Sequence, residues 1–154
     1  MINVDAIFET PTDLYYIMPY INGHDFEQHW ISRGKRFTPE EILFYTTQIV
    51  LALGGLHKLG AIHRDLKFEN LLINEDGNLV LIDYGLAAFF NPKKKKKKPT
   101  ENVGNPIHKA PEVYHQRGHD KSADWWSLGI MIFEMVEGVS PFDKNERAAS
   151  EREI

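Results

Sequence analysis

The feature that most constrains this chain is a short strand–turn–strand hairpin flanked in sequence by two polar loops. Leu71 to Ile73 and Leu79 to Ile82 are apolar runs on either side of Glu75-Asp76-Gly77-Asn78, which reads as the turn of a hairpin. Immediately before the first run stands His63-Arg64-Asp65-Leu66-Lys67-Phe68-Glu69-Asn70; immediately after the second stands Asp83-Tyr84-Gly85. A lone Asp or Asn in a loop is usually a turn former or a cap. Two such clusters, one carrying a carboxylate, a lysine and an amide and the other a second carboxylate, point beyond turn chemistry.

The rest of the pattern builds a mixed framework around this centre. Ala6 to Glu9 and Leu14 to Met18 read as two strands joined by Thr10-Pro11-Thr12-Asp13, and Pro19 to Gly23 as an extended connector. Asp25 to Ser32 is expected to form a short helix that Gly34 ends. Thr38-Pro39-Glu40-Glu41 carries a cap, a proline at the first helical position and the far half of a capping box. The helix it starts should reach Lys58, with Ile42, Tyr45, Ile49, Leu53 and Leu56 on one face and Gly60 as its stop. Gly54-Gly55 weakens the last turn, which then relies on packing. Ala61-Ile62 reads as a brief strand. Asp83 to Glu112 shows little periodicity. Asp124 to Val136 is apolar nearly all round, so it is expected to be buried, with Trp125 and Trp126 in the core.

Bulk properties narrow the class. A chain of 154 residues, 42% hydrophobic and 26% charged, has enough apolar material for one globular domain. No apolar stretch reaches membrane-span length, since Leu128 to Val136 is interrupted by Glu134, and Met1 to Asp5 lack the start of a secretion leader. The absence of cysteine rules out disulfides and thiolate metal sites, which fits an intracellular protein. Net charge is −4, and would be −10 without the six lysines of Lys93–Lys98. An acidic body argues against nucleic acid as a partner and suits basic peptides or divalent metal. The lysine run resembles a nuclear-localisation or polyanion-binding patch, but a self-repelling loop insertion is the favoured reading. Cytoplasmic placement is expected, with a nuclear one open only through that run. Oligomeric state is not readable.

The two loops resemble the H-R-D-L-x-x-x-N and D-F-G motifs of the eukaryotic protein kinases, and Ala110-Pro111-Glu112 resembles their A-P-E motif. Lys67 is similar to the serine/threonine branch. Asp124-Trp125-Trp126 and the helix from Phe44-Tyr45 to Leu56-His57 are similar to its AGC group. The resemblance implies an α+β, protein-kinase-like fold: residues 1–18 as the end of the N-lobe, 19–25 as the hinge and 26–154 as an incomplete, mostly helical C-lobe. It implies transfer of the ATP γ-phosphate to Ser or Thr of protein substrates, with ATP and Mg²⁺ as cofactors. Asp65 is then the catalytic base, and Lys67 faces the phosphate. Asn70 and Asp83 are the metal ligands. Met18, the Pro19 carbonyl, the Ile21 backbone, Leu72 and Ile82 surround the adenine, and Asp25 meets ribose or peptide. Glu69 and Glu134 would meet arginines of a basic substrate. Asp124 would hold the loop backbone, and His63 and Tyr84 would stack beside it.

Several positions depart from that pattern. Phe68 and Tyr84 replace the usual proline and phenylalanine. Glu101 falls where AGC relatives carry a phosphorylated threonine, so it is expected to pair with Arg64. Thr100 is the only Ser or Thr between Asp83 and Glu112, so a shift of one residue would restore a phosphosite there. Asn105 stands where a threonine bridges the base and Lys67, and Asn102 with Lys109 makes a neighbouring pocket more polar. No G-x-G-x-x-G occurs and the first lysine is Lys35, so the phosphate clamp is expected outside this sequence. A chain truncated at both ends is the expectation, inactive or nearly so by itself, with Glu112 left buried and unpaired. The rival reading is a non-catalytic, kinase-like binding fragment.

Overall fold

The computed structural model describes residues 4–89 and 98–142; Lys93 to Lys97, the first three residues and the polar tail after Phe142 lie outside the described residues. Among the described residues, seven short strands and four helices, the short α3 (Pro111–Tyr114) included, follow one another in a mixed α+β order. Strands β1 (Ala6–Glu9) and β2 (Leu14–Ile17) form an antiparallel hairpin, with Phe8 stacked on Tyr15 at 4.8 Å. Its turn is closed by the Thr10 hydroxyl, which accepts from the Asp13 amide at 3.0 Å. Every residue of the two strands is exposed.

Helix α1 (Phe26–Ser32) starts where the Asp25 side chain accepts from the Gln28 amide, and α2 (Pro39–Lys58) starts on the full Thr38–Glu41 capping box. Tyr45, Ile49, Leu53 and Leu56 are buried along α2 as the spacing predicts, with Ile42 half-buried. Leu53 and Leu56 supply the packing that Gly54-Gly55 cannot.

Behind α2 lies a three-stranded antiparallel sheet in the order β3 (Gly23–Asp25), β5 (Leu71–Asn74), β6 (Leu79–Leu81). The β5–β6 hairpin is the one predicted. Strand β3 adds to it from the stretch read as a connector, because a Cβ on Gly23 would run into the Ile73 carbonyl and only glycine lets the backbones meet. Alternation along β5 sends Leu71 and Ile73 into the core and leaves Leu72 facing the other way, opposite Val80.

One continuous core joins α1, α2, the sheet and α4 (Ser122–Glu137). It is centred on Phe26, Leu53, Leu66, Met131 and Met135, all fully buried. Helix α4 corrects the expectation of burial all round. Leu128, Ile130, Met131 and Met135 face inward, whereas Trp125 and Trp126 are 37% exposed and Phe133 and Val136 more so. Among the described residues the outer face meets only scattered partners, His57 on Trp125 and Phe142 on Trp126. A second departure lies in the stretch without periodicity, where β7 (Ala88–Phe89) pairs with β4 (Ala61–Ile62). Strand β4 is the brief strand expected at Ala61-Ile62, whereas β7, also two residues long, carries too little pattern to be read from sequence. No helix among the described residues is long and apolar enough to cross a membrane.

Candidate active site

The loop from His63 to Asn70 is held from below by one residue of α4. Asp124 is fully buried and accepts from the backbone amides of His63 and Arg64, each at 2.9 Å, and from His57 Nε2 at 2.7 Å. Arg64 sits at φ 70°, a left-handed conformation that costs energy in a non-glycine residue, and these bonds hold it there. From the other side the loop is pinned by Phe68. Its ring stacks on Trp30 at 4.8 Å and lies 5.5 Å from Phe26, so the residue that breaks the motif is a core anchor. The rings of His63 and Tyr84 meet, edge-on, at 5.3 Å and 67°. The Tyr84 hydroxyl donates to the Leu81 carbonyl at 3.0 Å, and burial pushes its pKa up to about 12. The imidazole of His63 is held below its ordinary pKa, first by burial and against the pull of Asp124.

The Asp65 carboxylate is oriented by three donors. Oδ1 accepts from the Asn105 amide at 2.8 Å, and Oδ2 from Asn70 Nδ2 at 3.1 Å, with Lys67 Nζ 3.4 Å away. The Asn105 side chain therefore does not bridge the base and the lysine. Its Oδ1 accepts from the Ile107 amide, and its backbone N–H makes the contact to Asp65 instead. Gly104 makes this close approach feasible: at φ 89° it packs against the Arg64 carbonyl, where a Cβ would collide.

The hairpin brings the two candidate metal ligands to one end. The Ile82 amide donates to the Asn70 carbonyl at 2.9 Å, which sets Asp83 beside Asn70. Asn70 is buried and donates Nδ2 to both the carbonyl and the carboxylate of Asp65, leaving Oδ1 as its free oxygen among the described residues. Asp83 is exposed at φ 57° and accepts from the Gly85 amide through Oδ1. An amide oxygen beside a turn carboxylate is a donor set that suits a hard divalent cation completed by phosphate oxygens. No group of three or more His, Cys, Asp or Glu that could hold a metal occurs among the described residues.

The remaining candidates are spread along one edge of this centre. Asp25 lies opposite Leu72 in the sheet and is partly used as the α1 cap. Leu72 and Ile82 are half-buried, and Met18 and Pro19 are exposed on the irregular stretch between β2 and Ile21. Glu69 is exposed. Glu134 is buried and bonded to His108 Nε2 at 2.9 Å, so an arginine would reach it only by displacing that ring. Glu112 corrects another expectation: it is not fully buried, and the Ser122 hydroxyl donates to it at 3.2 Å. Lys109 Nζ donates to Asn102 Oδ1 at 2.6 Å. Sequence reasoning missed His57, His108 and Glu27. Histidines far away in sequence carry no local signal of the carboxylate they will meet.

Residues 1–154 match the family model described as the protein kinase domain. The chain belongs to the protein kinase family. It is 40% identical over 147 residues to ribosomal protein S6 kinase alpha-3 of Homo sapiens, covering 96% of this chain and 20% of that protein. A RAC family serine/threonine-protein kinase homolog of Dictyostelium discoideum is 38% identical over 146 residues, covering 92% of this chain and 32% of that one. Ribosomal protein S6 kinase alpha-4 of Homo sapiens is 38% identical over 159 residues, with 100% and 20% covered. The chain thus spans a fifth to a third of the length of these relatives. They place this kinase domain in the serine/threonine branch, of AGC type. The family uses ATP and a divalent metal.

Proposed function

We propose that the protein transfers the γ-phosphate of ATP to serine or threonine of protein substrates, with the centre between residues 63 and 83. In this reading residues 1–18 close the smaller lobe, 19–25 form the hinge and 26–154 belong to the larger lobe. The observation that carries it is the Asp65 carboxylate, held by the Asn105 amide and Asn70 with Lys67 3.4 Å away. Asp65 orients the substrate hydroxyl and takes its proton, and Lys67 balances the charge that develops on the phosphate. Asn70 Oδ1 and Asp83 would hold Mg²⁺, which when bound draws charge from phosphate oxygens. Met18, Pro19, Ile21, Leu72 and Ile82 border the base of the nucleotide. Asp25 has one oxygen committed to the Gln28 amide and the other available to ribose or peptide.

A preference for basic substrates finds support in an acidic patch that Lys35 and Lys67 offset only in part. The Glu27 carboxyl is raised by burial and then by the nearby charges of Glu69 and Asp25. A basic side chain would relieve that repulsion. Glu69 is open to it, and Glu134 would join after His108 moves. Cytoplasmic placement goes with this reading.

Asp65→Asn in the intact protein should lower phosphoryl transfer at least about a hundredfold, since base catalysis of this kind contributes 10²–10⁴, while nucleotide binding survives. Equal activity in the variant would defeat the proposal. Absence of Mg²⁺-dependent nucleotide binding would favour a non-catalytic binding module.

A further inference from the structure

Both described arms of the segment between Asp83 and Glu112 are tied to the catalytic loop, and Arg64 makes the tie on each. Its Nε donates to the Leu86 carbonyl at 2.6 Å on the outgoing arm, and its Nη1 donates to Glu101 Oε2 at 3.0 Å on the returning one. The Arg64 side chain is only 10% exposed, so its charge is drawn out of water and needs an anion. Glu101 supplies that anion. Its carboxyl is held below its ordinary pKa by its own backbone amide and by Arg64, so it remains charged at neutral pH.

Around this pair the returning arm is fastened again. Lys98 Nζ donates to Asp120 Oδ2 at 2.7 Å, and the His119 amide donates to the Pro99 carbonyl at 2.9 Å. Further along, Asn105 donates its amide to Asp65 itself. A line of contacts therefore runs from Glu101 through Arg64 to its neighbour Asp65 and back to the segment at Asn105. Segments of this kind are ordered in many switches by a phosphate that an arginine recruits. Here a carboxylate encoded in the chain already occupies the arginine.

We infer that Glu101 is a built-in counter-charge that orders the described returning arm, residues 98–105, without phosphorylation, so that the site is assembled as the chain is made. This rests on the phosphoryl-transfer reading for its consequence in activity, but not for its consequence in order. Thr100, the neighbouring hydroxyl, is exposed and makes no hydrogen bond among the described residues.

The test uses the intact protein, as purified, after phosphatase treatment confirmed by mass spectrometry, and as Glu101→Gln. Amide hydrogen exchange over residues 98–105 reads order, and initial rates read activity, with Asp65→Asn as the reference for dead enzyme. Phosphatase treatment should leave both readouts within about twofold, whereas Glu101→Gln should speed exchange and lower the rate by about tenfold or more. Exchange in Glu101→Gln equal to that of the parent would overturn the inference. So would a tenfold loss of order or activity on phosphatase treatment alone. If Asp65→Asn kept full activity, the phosphoryl-transfer reading would fail, and the exchange comparison would still decide the role of Glu101.

Discussion

The catalytic loop and the β1–β2 hairpin are both short and rich in polar or aromatic residues, yet they are held by opposite means. Every turn of the loop is fixed from outside itself: Asp124 from α4, Phe68 in the aromatic core, Asn105 from the returning arm and β7 against β4. The hairpin is held by its own ladder, one Phe8–Tyr15 stack and one Thr10 turn. A hairpin with no further partner is at best marginally stable in water. Chemistry that needs a carboxylate in one position is thus placed where several elements agree on it, strained φ of Arg64 and Asp83 included.

The sharpest way to break this contrast is to remove the residue on which the loop depends most. Asp124→Ala leaves the buried amides of His63 and Arg64 and the His57 ring without their acceptor. Loss of a fully buried charged partner costs about 3–5 kcal/mol. The midpoint of urea denaturation should fall accordingly, and hydrogen exchange at residues 63–65 should rise more than at the hairpin. A variant as stable as the parent would show that the loop is held by its other contacts alone.

Both regions were legible as local patterns, and the hairpin expected over Ala6 to Glu9 and Leu14 to Met18 is found at Ala6–Glu9 and Leu14–Ile17. His63-Arg64-Asp65 and the Glu75 to Asn78 turn are local patterns with fixed spacing, and so are the Thr38–Glu41 capping box and the apolar face of α2. What the sequence concealed was pairing between distant segments. Strand β3 is three residues long and exists because Gly23 admits the Ile73 carbonyl. The β4–β7 pair is two residues long. His108 meeting Glu134, and His57 meeting Asp124, join residues 26 and 67 positions apart. The error on α4 had another origin: an all-apolar helix says that it avoids water, but not which neighbour covers each face. The contact that Asn105 makes to Asp65 runs through its backbone amide, which no side-chain pattern announces.

A milder probe of the same contrast is pH. His63 and His119 are buried and His29 partly so, and each lies below the ordinary histidine value of 6.5, in every case first because of burial. Arg64 adds to the effect at His119, where Glu101, Glu112 and Asp124 oppose it. The unfolded chain accepts protons near pH 6.5 that these folded rings refuse. Stability is therefore full above that pH and declines as the pH falls below it. A second loss follows in stronger acid. Asp120 is lowered from 3.8 to about 2, chiefly by the Lys98 hydrogen bond, so its contribution is present above 3.8 and disappears toward 2. Denaturation midpoints across pH 5 to 8 should show the first decline. A flat profile there would mean that these rings titrate alike in both states.

The smallest effect should come from the hairpin. Ile7 is 59% exposed and lies opposite Tyr16 in the ladder, with no core contact among the described residues. Ile7→Thr keeps a β-branched side chain, so it preserves strand propensity while removing apolar surface. The change should stay within about 0.5 kcal/mol, as surface substitutions do. Measured beside Asp124→Ala in the intact protein, it gives the contrast its lower limit. A loss above about 1 kcal/mol would mean that this face is covered in the intact protein, because only burial makes the removal of one apolar side chain that costly.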